Sequence, residues 1–244
     1  MGQVGHIVNT QLSSAPLSFF CKGGTLMKVL GVSGSPIKNG NTERALKTVI
    51  EATGVETELI RLIDYTYAPC MACLGCVETN VCVVDDDARG LTEKAKQADA
   101  LVIGGFTPYS TLDARTKAFI ERLYPLRHKH GYMSGKPGGA VVTCCVPENA
   151  EMLPPACRMG EDAIRFYMME EGMNFLGSVR VQGNVPCITC GHGDECKMSA
   201  VKMLYGTEAT VGSVGIRRFE DQSDVISTAV GLGKKIAEVL TGKK

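Results

Sequence analysis

The sequence predicts a doubly wound α/β fold: a five-stranded parallel sheet with helices on both faces. Two observations predict it. Short apolar runs that read as strands alternate along the chain with stretches of helical period, and there are five such runs. Parallel neighbours cannot be joined by a tight turn and need a long crossover, which a helix normally supplies.

Each element follows in order. KVLGVSGS (28 to 35) is an apolar run that ends in small residues and reads as the first strand. In NTERALKTVIEA (41 to 52) Ala45, Leu46, Val49 and Ile50 recur at helical spacing. ETELIRLI (56 to 63) alternates as a second strand; ADALVIGG (98 to 105), GGAVVTCC (138 to 145) and LGSVRVQG (176 to 183) supply the third, fourth and fifth. Helical patterns fall at 89 to 97, 112 to 124, 156 to 171 and 223 to 240. Residues 27 to 244 are expected to form one domain, with residues 1 to 26, which show neither period, as a loose extension. Two connections, 64 to 87 and 186 to 215, exceed the roughly 12 to 15 residues usual for a structureless loop, which marks them as functional.

Composition narrows the chemistry. With 244 residues, 44% hydrophobic and 21% charged, the chain suits one globular domain. Lys plus Arg equals Asp plus Glu at 26 each, so no net basic field exists to hold a nucleic-acid backbone or an anionic membrane. No stretch approaches the roughly 20 apolar residues of a membrane span, and the first 26 residues lack a secretory pattern, so a cytoplasmic protein is expected. In a reducing compartment, eleven cysteines point to metal or redox chemistry more than to disulfides.

Ligands of a doubly wound sheet bind beyond the carboxyl ends of the strands, where the loops after strands one, three and four converge: 33 to 42, 106 to 112 and 143 to 150. The first of these, SGSPIKNGNT, can turn backbone N–H groups and the Ser33, Ser35, Asn41 and Thr42 side chains onto one anion, with the positive end of a helix behind it. A terminal phosphate fits such a loop. The competing reading is a set of turn formers and a helix cap. The loop matches neither a Walker A sequence nor a GxGxxG fingerprint.

C-x2-C-x2-C-x5-C places Cys70, Cys73, Cys76 and Cys82 in one loop after the second strand. Three thiols at equal short intervals and a fourth slightly further on point to a 4Fe-4S cluster, although Val83 follows the last cysteine where a ferredoxin has proline. Structural zinc is the rival reading. A second group, Cys187, Cys190 and Cys196 with His192 among them, suits either a metal or a packing and redox role. Cys144 and Cys145 end the fourth strand, to shape the ligand pocket or simply to be buried. Cys157 is expected in the core with Met168, Met169 and Met173.

SGSPIKNGNT resembles the phosphate loop of the flavodoxin-like NAD(P)H-dependent FMN reductases, Ser-Gly-Ser-Pro-Arg followed by Gly-Asn-Thr, except that Ile37 stands at the arginine position with Lys38 beside it. FTPYSTLDARTKAFIERL (106 to 123) is similar to the second flavin-binding element of the same family. With the cysteine run, the chain resembles the iron-sulfur flavoproteins of that superfamily. This resemblance implies a flavodoxin-like fold, one FMN and one 4Fe-4S cluster per chain, and a homodimer or homotetramer. It further implies FMN contacts from Ser33, Ser35, Pro36, Lys38, Asn41 and Thr42, from Thr107, Pro108, Tyr109, Ser110 and Thr111, and from Thr143. Electrons are expected to pass from a ferredoxin-like donor, or from NAD(P)H, to a small acceptor. Two other readings are a direct NAD(P)H-dependent FMN or quinone reductase with structural thiols, and a zinc-stabilised sensing or binding module without turnover. No catalytic acid or base is identified, because a flavin carries its own reactive nitrogen.

Overall fold

Strands buried on both faces of a parallel sheet read as nearly continuous apolar runs, whereas edge strands keep an alternating pattern. The computed structural model, which describes residues 21–22, 25–147, 150 and 153–242, sorts the strands in this way. β1 (Lys28–Ser33), β3 (Ala100–Phe106) and β4 (Pro137–Cys144) are buried almost throughout; β2 (Glu56–Arg61) and β5 (Asn174–Gln182) are partly exposed. The order is β2-β1-β3-β4-β5, all parallel, which is the flavodoxin-like arrangement. Register brings the carboxyl ends of three strands together, with Ser33 beside Gly104 and Phe106 beside Thr143. Between β1 and β3 the direction of winding reverses, and the crevice that this opens is where ligands bind in such sheets.

In chain order the helices are α1 (Asn41–Glu51), α2 (Ala88–Gln97), α3 (Ala114–Arg122), α4 (Ala156–Glu170), α5 (Ala200–Tyr205), α6 (Val211–Val214) and α7 (Ser223–Thr241). On one face of the sheet α1 and α7 bury Leu46, Val49, Ile50, Leu232 and Ile236 against Val29, Val102 and Val141. Opposite, α2, α3 and α4 bury Leu91, Phe119, Ile164 and Met168 against Leu30, Leu101 and Val142. Cys157, Met168 and Met173 lie in this second core, but Met169 is 56% exposed because the outer face of α4 carries it.

Strand and helix limits agree with the sequence periods to within about two residues at most ends. α3 is shorter than its pattern because Asp113 caps it, its side chain accepting from Thr116 N. The extension expected at residues 1 to 26 lies outside the described residues except for Cys21–Lys22 and Thr25–Leu26, which pair antiparallel. Among the described residues no helix is long and apolar enough to cross a membrane.

Candidate functional site

A cavity of about 330 Å³ opens at the carboxyl ends of β1, β3 and β4. Ser35, Pro36, Asn41 and Thr42 come to it from the first loop, Thr107 and Pro108 from the second, and Thr143 from the third. Gly34 explains how the first loop can lie so close: a Cβ there would stand 1.7 Å from Thr116 Oγ1 and 3.0 Å from Asp113 Oδ1. Thr42 and Thr143 share a hydroxyl–hydroxyl bond of 2.8 Å that ties the first loop to the third. Asn39 turns left-handed (φ 54°) and donates its N–H to Glu43, whose carboxylate also accepts from Arg61 Nε at 3.1 Å. Beneath the loop Ser33 is fully buried with its Oγ unpartnered, and a buried orphan hydroxyl at a site asks for a ligand or a water.

Other expected contacts stand elsewhere. Lys38 is exposed and lies off the cavity wall. The backbone is left-handed at both Tyr109 (φ 50°) and Ser110 (φ 66°); Tyr109 is fully exposed, and neither it, Ser110 nor Thr111 lines the cavity. Asn41 lines the wall, yet its amide is engaged away from it, donating to the Arg217 carbonyl at 3.0 Å and accepting from Phe219 N at 3.1 Å. Sequence reasoning missed Gly183, Asn184 and Pro186, which follow β5 and close the fourth side. Their one available signal was the parallel order itself, since β5 ends beside β4 at Gln182 and Cys144. Asn184 holds the Arg217 backbone from both ends, donating to its carbonyl at 2.8 Å and accepting its N–H at 2.7 Å. The adjacent cysteines part ways: Cys145 lines the cavity, while Cys144 is buried. A hydrogen bond from Cys157 brings the Cys144 thiol down to about 6 against the opposing effect of burial.

Cys70, Cys73, Cys76 and Cys82 line one hollow together with Glu121, Arg122, Tyr124 and Pro125. Left-handed turns at Ala72, Leu74 and Asn80 fold the loop back on itself. Asn80 anchors it by donating to the carbonyls of Pro125 and His128, both at 2.7 Å. Donors approach the sulfurs: Ala72 N at 3.4 Å from Cys70 Sγ and Arg122 Nη2 at 3.3 Å from Cys82 Sγ, with His128 Nε2 3.4 Å from Cys76 Sγ. Hydrogen bonds to ligating sulfur are one of the means by which a protein tunes a cluster. Burial pushes the Cys76 thiol up, and the neighbouring Cys82, Cys70 and Cys73 add to the effect. Cys70, Cys73, Cys76 and Cys82 are free thiols, and no three His, Cys, Asp or Glu side chains among the described residues stand close enough to hold a metal ion as they are. Four free thiols around one hollow are the donor set of a 4Fe-4S or zinc centre, which would draw them together.

One helix joins cavity and hollow. At the start of α3, Asp113 accepts from Phe106 N and from Thr116, fixing the second cavity loop. At its end Arg122 reaches Cys82, Asp86 and the Ala68 carbonyl, and in between the Arg115 carbonyl accepts from Tyr67 OH. Nine residues of helix span about 13 Å.

Known proteins place this geometry. An iron-sulfur flavoprotein of Methanocaldococcus jannaschii is 37% identical over 119 residues, 47% of this chain and 61% of the relative. One of Methanosarcina thermophila is 33% identical over 118 residues, 47% and 62% of the two chains. The chain thus spans about six tenths of the length of these curated relatives. Among solved structures, RosB with a bound 8-demethyl-8-formylriboflavin-5'-phosphate intermediate superposes with a TM-score of 0.56 over 89% of this chain and 81% of that one; at 16% identity the likeness is one of fold. Residues 27–153 match the family described as NADPH-dependent FMN reductase, a stretch that contains the first cavity loop, the cysteine hollow and α3. The chain belongs to the NADPH-dependent FMN reductase family.

Proposed function

We propose that this protein is an FMN-dependent oxidoreductase in which the cavity takes FMN and Cys70, Cys73, Cys76 and Cys82 take a 4Fe-4S cluster. The observation that carries the reading is α3, whose first turn fixes a wall of the cavity and whose last residue bonds a cysteine of the hollow. Bound there, the two groups supply one-electron exchange at the iron and two-electron chemistry at the flavin.

The protein's own residues hold and shield. Ser35, Thr42 and the N–H groups ahead of α1 bind the terminal phosphate, and the Thr42–Thr143 bond keeps that cradle closed. Phe106, Pro108 and Pro186 form apolar walls that exclude water from a planar ring. Arg122 and the Ala72 N–H stabilise thiolate sulfur. A ferredoxin-like protein or NAD(P)H as donor, a small molecule as acceptor and assembly into a homodimer or homotetramer complete the proposal. An anaerobic absorption spectrum with iron, sulfide and flavin quantified on one sample tests it. Roughly four iron per FMN is expected. Flavin without iron would replace this reading with a direct NAD(P)H-dependent reductase, and protein that takes up neither would end it.

A further inference from the structure

The segment from Pro186 to Gly215 is folded without a core. Of its 30 residues Val201 is the sole apolar side chain that is buried, while Met198 and Met203 are exposed. It is nonetheless built in detail. Thr210 and Ser213 form a reciprocal cap on α6, Asp194 accepts from Val211 N at 2.6 Å, and Ser199 donates to the Gly193 carbonyl at 2.6 Å. Gly193 is required by close approach, since a Cβ there would lie 2.5 Å from the Cys187 carbonyl. With so little apolar burial the segment gains little of its shape from packing, and a cross-link or a metal is what commonly holds such a stretch.

Its three cysteines are free, so no disulfide supplies the cross-link. Each accepts a backbone N–H: Cys187 from Ala200 at 3.3 Å, Cys190 from His192 at 3.4 Å and Cys196 from Met198 at 3.3 Å. Backbone N–H groups directed at sulfur in this way supply the outer hydrogen bonds that orient a ligating cysteine. Cys70 of the first run accepts an N–H from two residues on, as Cys190 and Cys196 do. His192 and Cys187 share the wall of a hollow of about 200 Å³. Three thiols and an imidazole are a complete donor set for tetrahedral zinc.

We propose that Cys187, Cys190, Cys196 and His192 form a second metal centre, a structural zinc site separate from the first cysteine loop and outside the stretch shared with the family. The four groups are not within ligating distance of one point as they stand, so zinc uptake pulls the segment inward. The chain then continues to Arg217, which Asn41 and Asn184 clamp beside the cavity, so the site steadies the segment that leads to that clamp.

The test is metal content of the full chain purified anaerobically from zinc-supplemented medium, measured with iron for the wild type, Cys190→Ser, Cys196→Ser and Cys73→Ser. One zinc per chain is expected in the wild type and in Cys73→Ser, and at least tenfold less in Cys190→Ser and Cys196→Ser, with their iron unchanged. Zinc retained by both second-group variants, or iron lost with them, overturns the proposal. Native alkylation of the wild type, mapped by peptide mass spectrometry with and without a zinc chelator, decides the matter if those variants fail to fold. Protection of Cys187, Cys190 and Cys196 that disappears with the chelator supports the site, and equal labelling refutes it. Neither the zinc content nor the alkylation pattern depends on flavin or cluster being present.

Discussion

Arg122 is 2% exposed, and its guanidinium divides between the Asp86 carboxylate, the Ala68 carbonyl and the Cys82 sulfur. A charge so buried is tolerated only when paired. Burial raises the Asp86 carboxyl, but hydrogen bonds from Arg122 and from the N–H groups of Ala68 and Ala88 outweigh it and hold the group below the usual carboxylate range. A carboxyl with a depressed pKa adds stability above its unfolded pKa and loses it as pH falls through the folded value. Arg122→Met, which strands Asp86, is expected to cost about 3 kcal/mol at pH 7 in urea unfolding, with less iron retained per chain. The deficit should shrink in acid as Asp86 protonates. Arg122→Lys, which keeps the charge without the planar fork, should fall between. Equal stability of all three proteins at pH 7 would show that the pair does not hold the hollow.

At the scale of elements, the first cavity loop and the start of α3 are one packed unit. Gly34 donates its N–H to the Gly104 carbonyl at 2.8 Å, and Thr116, whose hydroxyl is committed to Asp113 at 2.7 Å, fills the space beside it. Gly34→Ala therefore drives a methyl into a buried side chain that cannot move without breaking its hydroxyl bond to Asp113, the residue that caps α3. A loss of about 3 kcal/mol in urea unfolding and weaker flavin binding in a fluorescence titration are expected. Unchanged flavin affinity would show that the loop adapts independently of the helix. The five strands and the long helices were legible in the sequence because their periods run long enough to be counted. α5 and α6, of six and four residues, are too short to show a period. Four cysteines in one hollow could be read from spacing alone, whereas Asn184 reaches the cavity through the register of β5, which no local pattern encodes. Tyr109 stands off the cavity wall, and the two successive left-handed residues that turn it outward cannot be inferred from Tyr-Ser.

For the whole molecule, charge balance bears on how an anionic ligand is held. Net charge is zero, and none of the cavity's lining residues is Lys or Arg. Ile37 stands where the family has arginine, Lys38 is exposed, and Arg61 is committed to Glu43 and Asp64. What remains for a phosphate is the N-terminus of α1, its preceding N–H groups and the hydroxyls of Ser35 and Thr42. These are short-range, partly buried donors, and salt screens them far less than it screens exposed ion pairs. Two results are expected from thermal unfolding of the full chain. FMN at saturating concentration should raise the midpoint more than riboflavin does, because only FMN engages the loop, and a ligand at about 100 times its Kd adds about 2.7 kcal/mol. That advantage should also survive a rise from about 50 mM to 0.5 M salt, across which the Debye length falls by about threefold. Equal shifts from FMN and riboflavin would remove the phosphate from this loop. An FMN advantage that vanished in high salt would instead mean that an exposed cation such as Lys38 folds in over the phosphate, and the balance of the site would be ionic after all.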